Sequence, residues 1–288
     1  MPSVAFQILS DLHLETHQSY EFAIKQTAPY LALLGDIGHV VDDGLFAFLE
    51  KQFNRNWIVF FLLGNHEPVS ISWSLAKRRV RAFAGRIERL RSRSTIGRFV
   101  FLDQTRFDVN NTVTVLGCTL FSEVKAEQAA AVKSRLIDFT KIQDWTVEDH
   151  VAAHRSGLHW LNAQVTEIYR DDPQRQIIIF THHSPTLDDR TNDEKYRGGS
   201  VISGFVTDLA EEACWKSPAV VCWGFGHTHF SCDFTDQFGK RIVANQTGYA
   251  NLPCRGFDAK KGFLLGRENA TSTSGRYSPV LSNYVGQS

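Results

Sequence analysis

The sequence predicts an α/β fold built around mainly parallel strands, and two observations carry that expectation. Short apolar runs recur along the chain: Val4 to Leu9, Tyr30 to Leu34, Trp57 to Leu63, Ile177 to Phe180 and Ala219 to Trp223. Each has the length and the branched or aromatic content of a buried strand. Between them lie segments with helical spacing, such as Leu45, Phe46 and Leu49 before Trp57, and Val151, Leu158, Leu161 and Val165 before Ile177. Strand, polar loop, helix and strand again is the order of an open α/β sheet.

The polar residues just past each run are more informative than the run itself. They form five strings: Asp11-Leu12-His13, Gly35-Asp36, Gly64-Asn65-His66-Glu67, Thr181-His182-His183 and Gly226-His227-Thr228-His229. In open α/β sheets the carboxyl ends of the strands form the binding edge, so these distant strings are expected to converge on one rim.

The chemistry of such a rim is that of two neighbouring metal ions. Ions roughly 3.5 to 4 Å apart need an oxygen donor between them, and Asp36 is the natural bridge. Asp11 and His13, two apart at a strand end, point to the same side and can reach one ion. Asn65 offers a neutral amide oxygen, which limits negative charge and leaves the ions strongly Lewis acidic. His227 and His229 can each face a different ion or share one. His66 points elsewhere and is free to act on substrate. Of the two histidines in the Thr181 turn, His182 is the expected ligand and His183 the one expected to face substrate.

Composition sets looser bounds. At 288 residues and 43% apolar, with no low-complexity linker, the chain is expected to form one domain over 1–288. Lys+Arg and Asp+Glu are both 31, which argues against a surface built wholly for nucleic acid or anionic membrane. Met1-Pro2-Ser3 leads straight into a strand without a secretory pattern, and no run reaches transmembrane length. The five cysteines are odd in number and lack CxxC spacing, as expected of reduced thiols in a cytoplasmic protein.

Taken together, Asp11-x-His13, Gly35-Asp36, Gly64-Asn65-His66-Glu67, His182 and Gly226-His227-x-His229 resemble the signature of the calcineurin-like metallophosphoesterase superfamily, in the family order. The resemblance implies a four-layered α/β/β/α sandwich of two mixed sheets with a dinuclear site at the strand ends. It implies one metal held by Asp11, His13, Asp36 and His229, and a second held by Asp36, Asn65, His182 and His227. It also implies that His66 contacts the phosphate and protonates or stabilises the leaving oxygen while a metal-bound hydroxide attacks phosphorus in line. Mixed N/O ligands admit zinc, manganese, iron or cobalt.

The chain departs from the commonest family pattern at His39, where many members carry an aspartate that orients the leaving-group histidine. A carboxylate partner for His66 is then expected from Asp42, Asp43 or Glu67, or is missing, and His39 itself is expected among the substrate contacts. A narrower similarity, through Gly117-Cys118-Thr119-Leu120-Phe121-Ser122, Thr181-His182-His183-Ser184-Pro185 and Asn245-Gln246-Thr247-Gly248-Tyr249, points to uncharacterised microbial members.

Three further features carry weaker expectations. The polar loop 187–199 comes directly after the His182 turn and could select substrate through Arg190, Tyr196 or Arg197. The segment from Lys77 through Arg93 reads as an amphipathic helix with an arginine-rich, solvated face. His150 and His154, spaced i, i+4, read as a solvated helix face rather than a zinc site. The expected activity is metal-dependent phosphoester hydrolysis, with small or nucleotide-type diesters favoured. The alternatives are a phosphomonoesterase or protein phosphatase, and a nucleic-acid-binding, nuclease-like protein.

Overall fold

The computed structural model describes residues 4–17 and 19–265. Met1-Pro2-Ser3 and the tail from 266 lie outside the described residues, and with them the ends of the expected 1–288 domain. The first sheet is formed by β1 (Val4–Leu9), β2 (Tyr30–Leu34), β3 (Ile58–Leu62) and β4 (Arg98–Phe101), all parallel in that order, with the late strand Gly262–Leu265 antiparallel to β1 on the outer edge. The second contains β5 (Thr105–Asp108), β6 (Val113–Gly117), β7 (Gln176–Phe180), β8 (Val220–Phe225), β9 (Cys232–Thr235) and β10 (Arg241–Ala244). Its order is β5-β6-β7-β8-β10-β9, parallel from β6 through β10 and antiparallel at both edges.

Alternate residues of these strands serve two different layers. Phe6, Ile8, Ala32, Leu34, Phe60 and Leu62 of the first sheet pack against Val113, Val115, Ile178, Phe180, Cys222 and Val243 of the second. Their strand neighbours Leu31, Leu33, Val59, Phe61 and Phe99 face outward onto α1 (Asp43–Phe53) and α2 (Trp73–Arg91), through Leu45, Phe48, Leu49, Val80, Phe83 and Ile87. On the far side Leu116, Ile177, Ile179, Trp223 and Phe225 meet Leu161, Val165 and Ile168, which belong to the 25-residue helix Val147–Asp171. Burial on both faces is why the central strands read as continuous apolar runs rather than as alternating ones. The result is the four-layered α/β/β/α sandwich.

The long helix Val147–Asp171 starts at a capping box in which Thr146 and Asp149 exchange side-chain and backbone hydrogen bonds. His150 and His154 on that helix are fully buried, contrary to the solvated face expected of them. His150 Nε2 accepts from the Ser122 N–H at 3.1 Å, and His154 Nδ1 lies 3.2 Å from the Leu120 carbonyl. The loop after β6 thus partners one nitrogen of each ring, a tertiary contact that local spacing does not reveal.

On α2, Lys77 and Arg81 pair with Asp103 and Arg86 pairs with Glu50, so much of its basic face is already balanced by neighbouring acids. All five cysteines are free. Among the described residues, no helix is long and apolar enough to cross a membrane.

Candidate metal centre

Asp11 and His13 follow β1, Asp36 follows β2, Asn65 and His66 follow β3, His182 follows β7, and His227 and His229 follow β8. All of these strands run parallel within their sheets, and their carboxyl ends open onto one rim. The turns that carry the side chains are bent hard. Asp11, His13, Asp36, His227 and His229 all have positive φ, at 54°, 46°, 54°, 71° and 49°, a conformation non-glycine residues adopt only at an energetic cost. The neighbouring glycines give room. A Cβ on Gly64 would collide with Asp36 Oδ1 and lie 2.6 Å from His182 Cε1, and one on Gly226 would lie 2.7 Å from Asp11 Oδ2.

Two ligand clusters result. In one, His13 Nε2 and His229 Nε2 are 3.0 Å apart, and His229 Nε2 is 3.4 Å from Asp11 Oδ1. In the other, His182 Nε2 is 3.3 Å from Asp36 Oδ2 and 3.2 Å from Asn65 Oδ1, with the buried His227 Nε2 lacking a hydrogen-bond partner. The donor atoms of Asp11, His13 and His229, and those of Asp36, His182 and His227, lie within 4.8 Å of one another in each group. Asp36 also groups with His13 and His66, placing it between the two clusters. Imidazole nitrogens crowded together beside carboxylates, with one buried nitrogen left unpaired, are a donor set that two divalent cations would satisfy.

The surrounding contacts fix these donors. His182 Nδ1 donates to the Leu34 carbonyl at 2.8 Å, leaving Nε2 as the electron-pair donor. Asn65 Nδ2 donates to the buried Asp138 at 2.8 Å, which turns its Oδ1 toward the second cluster. Glu67 accepts the N–H groups of Asp36, Ile37 and Gly64 at 3.0, 2.7 and 2.7 Å, tying the ends of β2 and β3 together. Burial works against the charge on Asp36, but the surrounding His182, His66 and His13 outweigh it and hold the carboxyl well below the usual range. Burial likewise opposes charge on His182, yet Asp36 and Asp11 push it up to about 10, so without a cation Nε2 carries a proton that a bound metal ion would displace.

Not all the sequence candidates gather here in the same way. His66 packs edge-on against His13, with ring centroids 4.4 Å apart, and its Nε2 lies 3.2 Å from the Tyr249 hydroxyl. His39 is half-buried at the edge, its ring stacked on His66 at 6.5 Å. His183, expected to face substrate, is fully buried, 4.1 Å from the His227 ring and in contact with Phe121, and neither of its nitrogens has a partner. Arg190 pairs with Asp188 at 2.6 Å and lies over the Phe234 ring, Arg197 pairs with Asp189, and Tyr196 is exposed. These contacts are local to loop 187–199 and its neighbouring strand. The loop forms one wall of a cavity of about 1010 Å³ whose opposite wall includes Glu123, Lys125 and Gln128.

Two of the expected carboxylate partners of His66 are engaged elsewhere: Glu67 is consumed by backbone N–H groups and Asp42 accepts from the Tyr20 hydroxyl at 2.6 Å. Asp43 is exposed in the first turn of α1. Glu15 stands in their place, with Oε1 3.0 Å from His66 Nδ1 and 3.1 Å from His13 Nδ1. Burial raises its carboxyl, but the two histidines outweigh burial and bring it down to about 2. Sequence reasoning missed Glu15, Asp138 and Tyr249. Two signals were available: Glu15 comes two residues after His13, and Tyr249 ends the segment from Asn245 already singled out for its similarity.

The fold and this rim define a metallophosphoesterase. The model of the calcineurin-like phosphoesterase family matches residues 6–231, and the chain belongs to that family, which acts on phosphoesters with two divalent metal ions. It is similar to an uncharacterised protein of Acanthamoeba polyphaga mimivirus, 23% identical over 235 residues, covering 77% of this chain and 79% of the relative. Among solved structures it resembles phosphopantetheinyl hydrolase from Mycobacterium tuberculosis, with a TM-score of 0.66 at 14% identity over 94% of this chain and 99% of that one. It also resembles a dimetal phosphatase from Danio rerio, with a TM-score of 0.51 at 15% identity over 89% and 91% of the two chains.

Proposed function

We propose that this protein hydrolyses phosphodiesters of modest size, nucleotide-type diesters included, in preference to phosphomonoesters. The observation that carries this reading is the charge of the rim. Among the described residues, Asp11, Glu15, Asp36, Glu67 and Asp138 contact histidines, Asn65 and backbone N–H groups, with no lysine or arginine paired to them. A monoester dianion carries one charge more than a diester and is commonly met by arginine. A singly charged diester needs no such partner.

In this reading Asp11, His13, Asp36 and His229 hold one ion, and Asp36, Asn65, His182 and His227 hold the other. Ions bound there supply Lewis acidity toward the phosphoryl oxygens and acidify a water for attack. The chain's own groups do the rest. Asn65 and His66 hold the ester, and His66 Nε2 delivers a proton to the departing oxygen. His39 contacts substrate at the edge, His183 steadies the His227 ring, and Arg190, Tyr196 and Arg197 belong to a loop that selects the leaving group.

The test is a panel of matched aryl diesters, aryl monoesters and cyclic nucleotides, assayed with manganese, zinc, iron or cobalt after chelation and reconstitution. A higher kcat/KM on diesters is expected. A higher value on monoesters overturns the substrate preference, and absence of chelator-sensitive turnover on every compound overturns hydrolysis itself.

A further inference from the structure

A histidine that donates a proton from Nε2 needs its Nδ1–H held by an acceptor, because that contact sets both the tautomer and the ring's aim. Position 39 is itself a histidine, and of the acids nearest in sequence to the motifs Glu67 is held by backbone N–H groups, Asp42 accepts from the Tyr20 hydroxyl and Asp43 is exposed at the start of α1. Glu15 lies on the short turn after the first ligand pair, its side chain only 4% exposed. Its Oε1 sits 3.0 Å from His66 Nδ1, and the same oxygen sits 3.1 Å from His13 Nδ1. The opposite edges of both rings face the chemistry, His13 Nε2 toward His229 and His66 Nε2 toward Tyr249.

We propose that Glu15 is the positioning residue of the leaving-group step. Its carboxylate orients His66 toward the ester oxygen, and the same oxygen orients His13 toward its metal. The inference rests on the hydrolase reading above. A proton leaves His66 Nε2 for the departing oxygen as the P–O bond breaks, and Glu15 accepts the Nδ1–H hydrogen bond throughout without taking the proton.

The experiment is a double-mutant cycle between Glu15→Gln and His66→Gln in the metal-saturated enzyme, with metal content measured for each variant. The substrates are one diester with an alkyl leaving group and one with a nitrophenyl leaving group. Alkoxides need protonation to depart and nitrophenolate does not. Glu15→Gln should lower kcat/KM about 10- to 100-fold on the alkyl diester and within about threefold on the aryl one, and once His66 is Gln its cost on the alkyl diester should shrink to that same residual of about threefold, the part that comes through His13. Equal losses on both substrates, or an undiminished loss in the His66→Gln background, overturn the proposal.

A second measurement does not depend on turnover. Nitrogen-resolved NMR of the histidine rings in the zinc-loaded protein should show a hydrogen-bonded proton on His66 Nδ1 that is lost in Glu15→Gln. An unchanged His66 signal overturns the role of Glu15 even if no phosphoester is ever turned over.

Discussion

His150 offers a direct test of how a buried ring sets acid stability. Its Nε2 accepts the Ser122 N–H at 3.1 Å and lies 2.9 Å from the Ser122 hydroxyl, so a proton placed on Nε2 would break the backbone hydrogen bond and leave only the hydroxyl oxygen to receive it. Burial, with a smaller contribution from His154, pushes its pKa down from 6.5 to about 3. The folded state therefore keeps His150 neutral across a range in which the unfolded chain protonates it. The stability this contributes is complete above pH 6.5 and is lost as pH falls toward about 3. Each pH step in that window costs about 1.4 kcal/mol, so going from about pH 7.5 to about pH 5 removes roughly 2 kcal/mol through this ring alone. Urea unfolding in the presence of chelator, monitored at several pH values, gives the slope. His150→Gln keeps an acceptor for Ser122 without a titrating group, and its stability should fall less steeply with acid by that amount. Parallel slopes in the two proteins would refute the reasoning, whatever their absolute stabilities.

Other outcomes are expected on the same grounds. Asp138→Ala frees the Asn65 carboxamide to rotate and should lower kcat about 10- to 100-fold, with an unchanged melting profile of the chelated protein as the control for folding. Gly64→Ala places a methyl group against Asp36 and His182; the purified variant should hold one metal per chain fewer by elemental analysis, and full occupancy would contradict the packing. Saturating each site at about 100-fold its Kd adds about 2.7 kcal/mol, which for a chain of 288 residues corresponds to a rise in Tm of about 4 °C per ion; calorimetry with and without chelator should find roughly twice that for both. Asp36→Asn should bring chelator-sensitive hydrolysis to background, because the side chain shared by the two clusters loses its bridging charge.

Much of this architecture was legible because the central strands are buried on both faces. Val4–Leu9 and Tyr30–Leu34 end in the structure where their apolar runs end, and the polar residues beyond them could only be the rim. The strands β4, β5, β6, β9 and β10 and the late edge strand Gly262–Leu265 were not foreseen; all but β6 are four residues long, and β5 and β9 alternate between half-buried and exposed positions. Contacts that cross the fold were equally hidden. Asp138 and Asn65 are 73 residues apart, and no spacing rule joins them. His150 and His154 mislead for the same reason, because two polar rings one turn apart look solvated until the loop after β6 is laid over them. Glu15 was overlooked although it stands beside a ligand, because its role lies in touching His13 and His66 together.

The left-handed turns at Asp11, His13, Asp36, His227 and His229 have a consequence for how this protein can be stabilised. Each holds an L-residue in a backbone well suited to glycine, at on the order of 1 kcal/mol, so relaxing them is the most obvious route to a tougher chain. Yet glycine at any of these positions removes a donor from the rim. Screens that select for heat resistance alone should therefore drift toward inert proteins, whereas screens that demand turnover should leave these bends alone and find their gains in the outer helices.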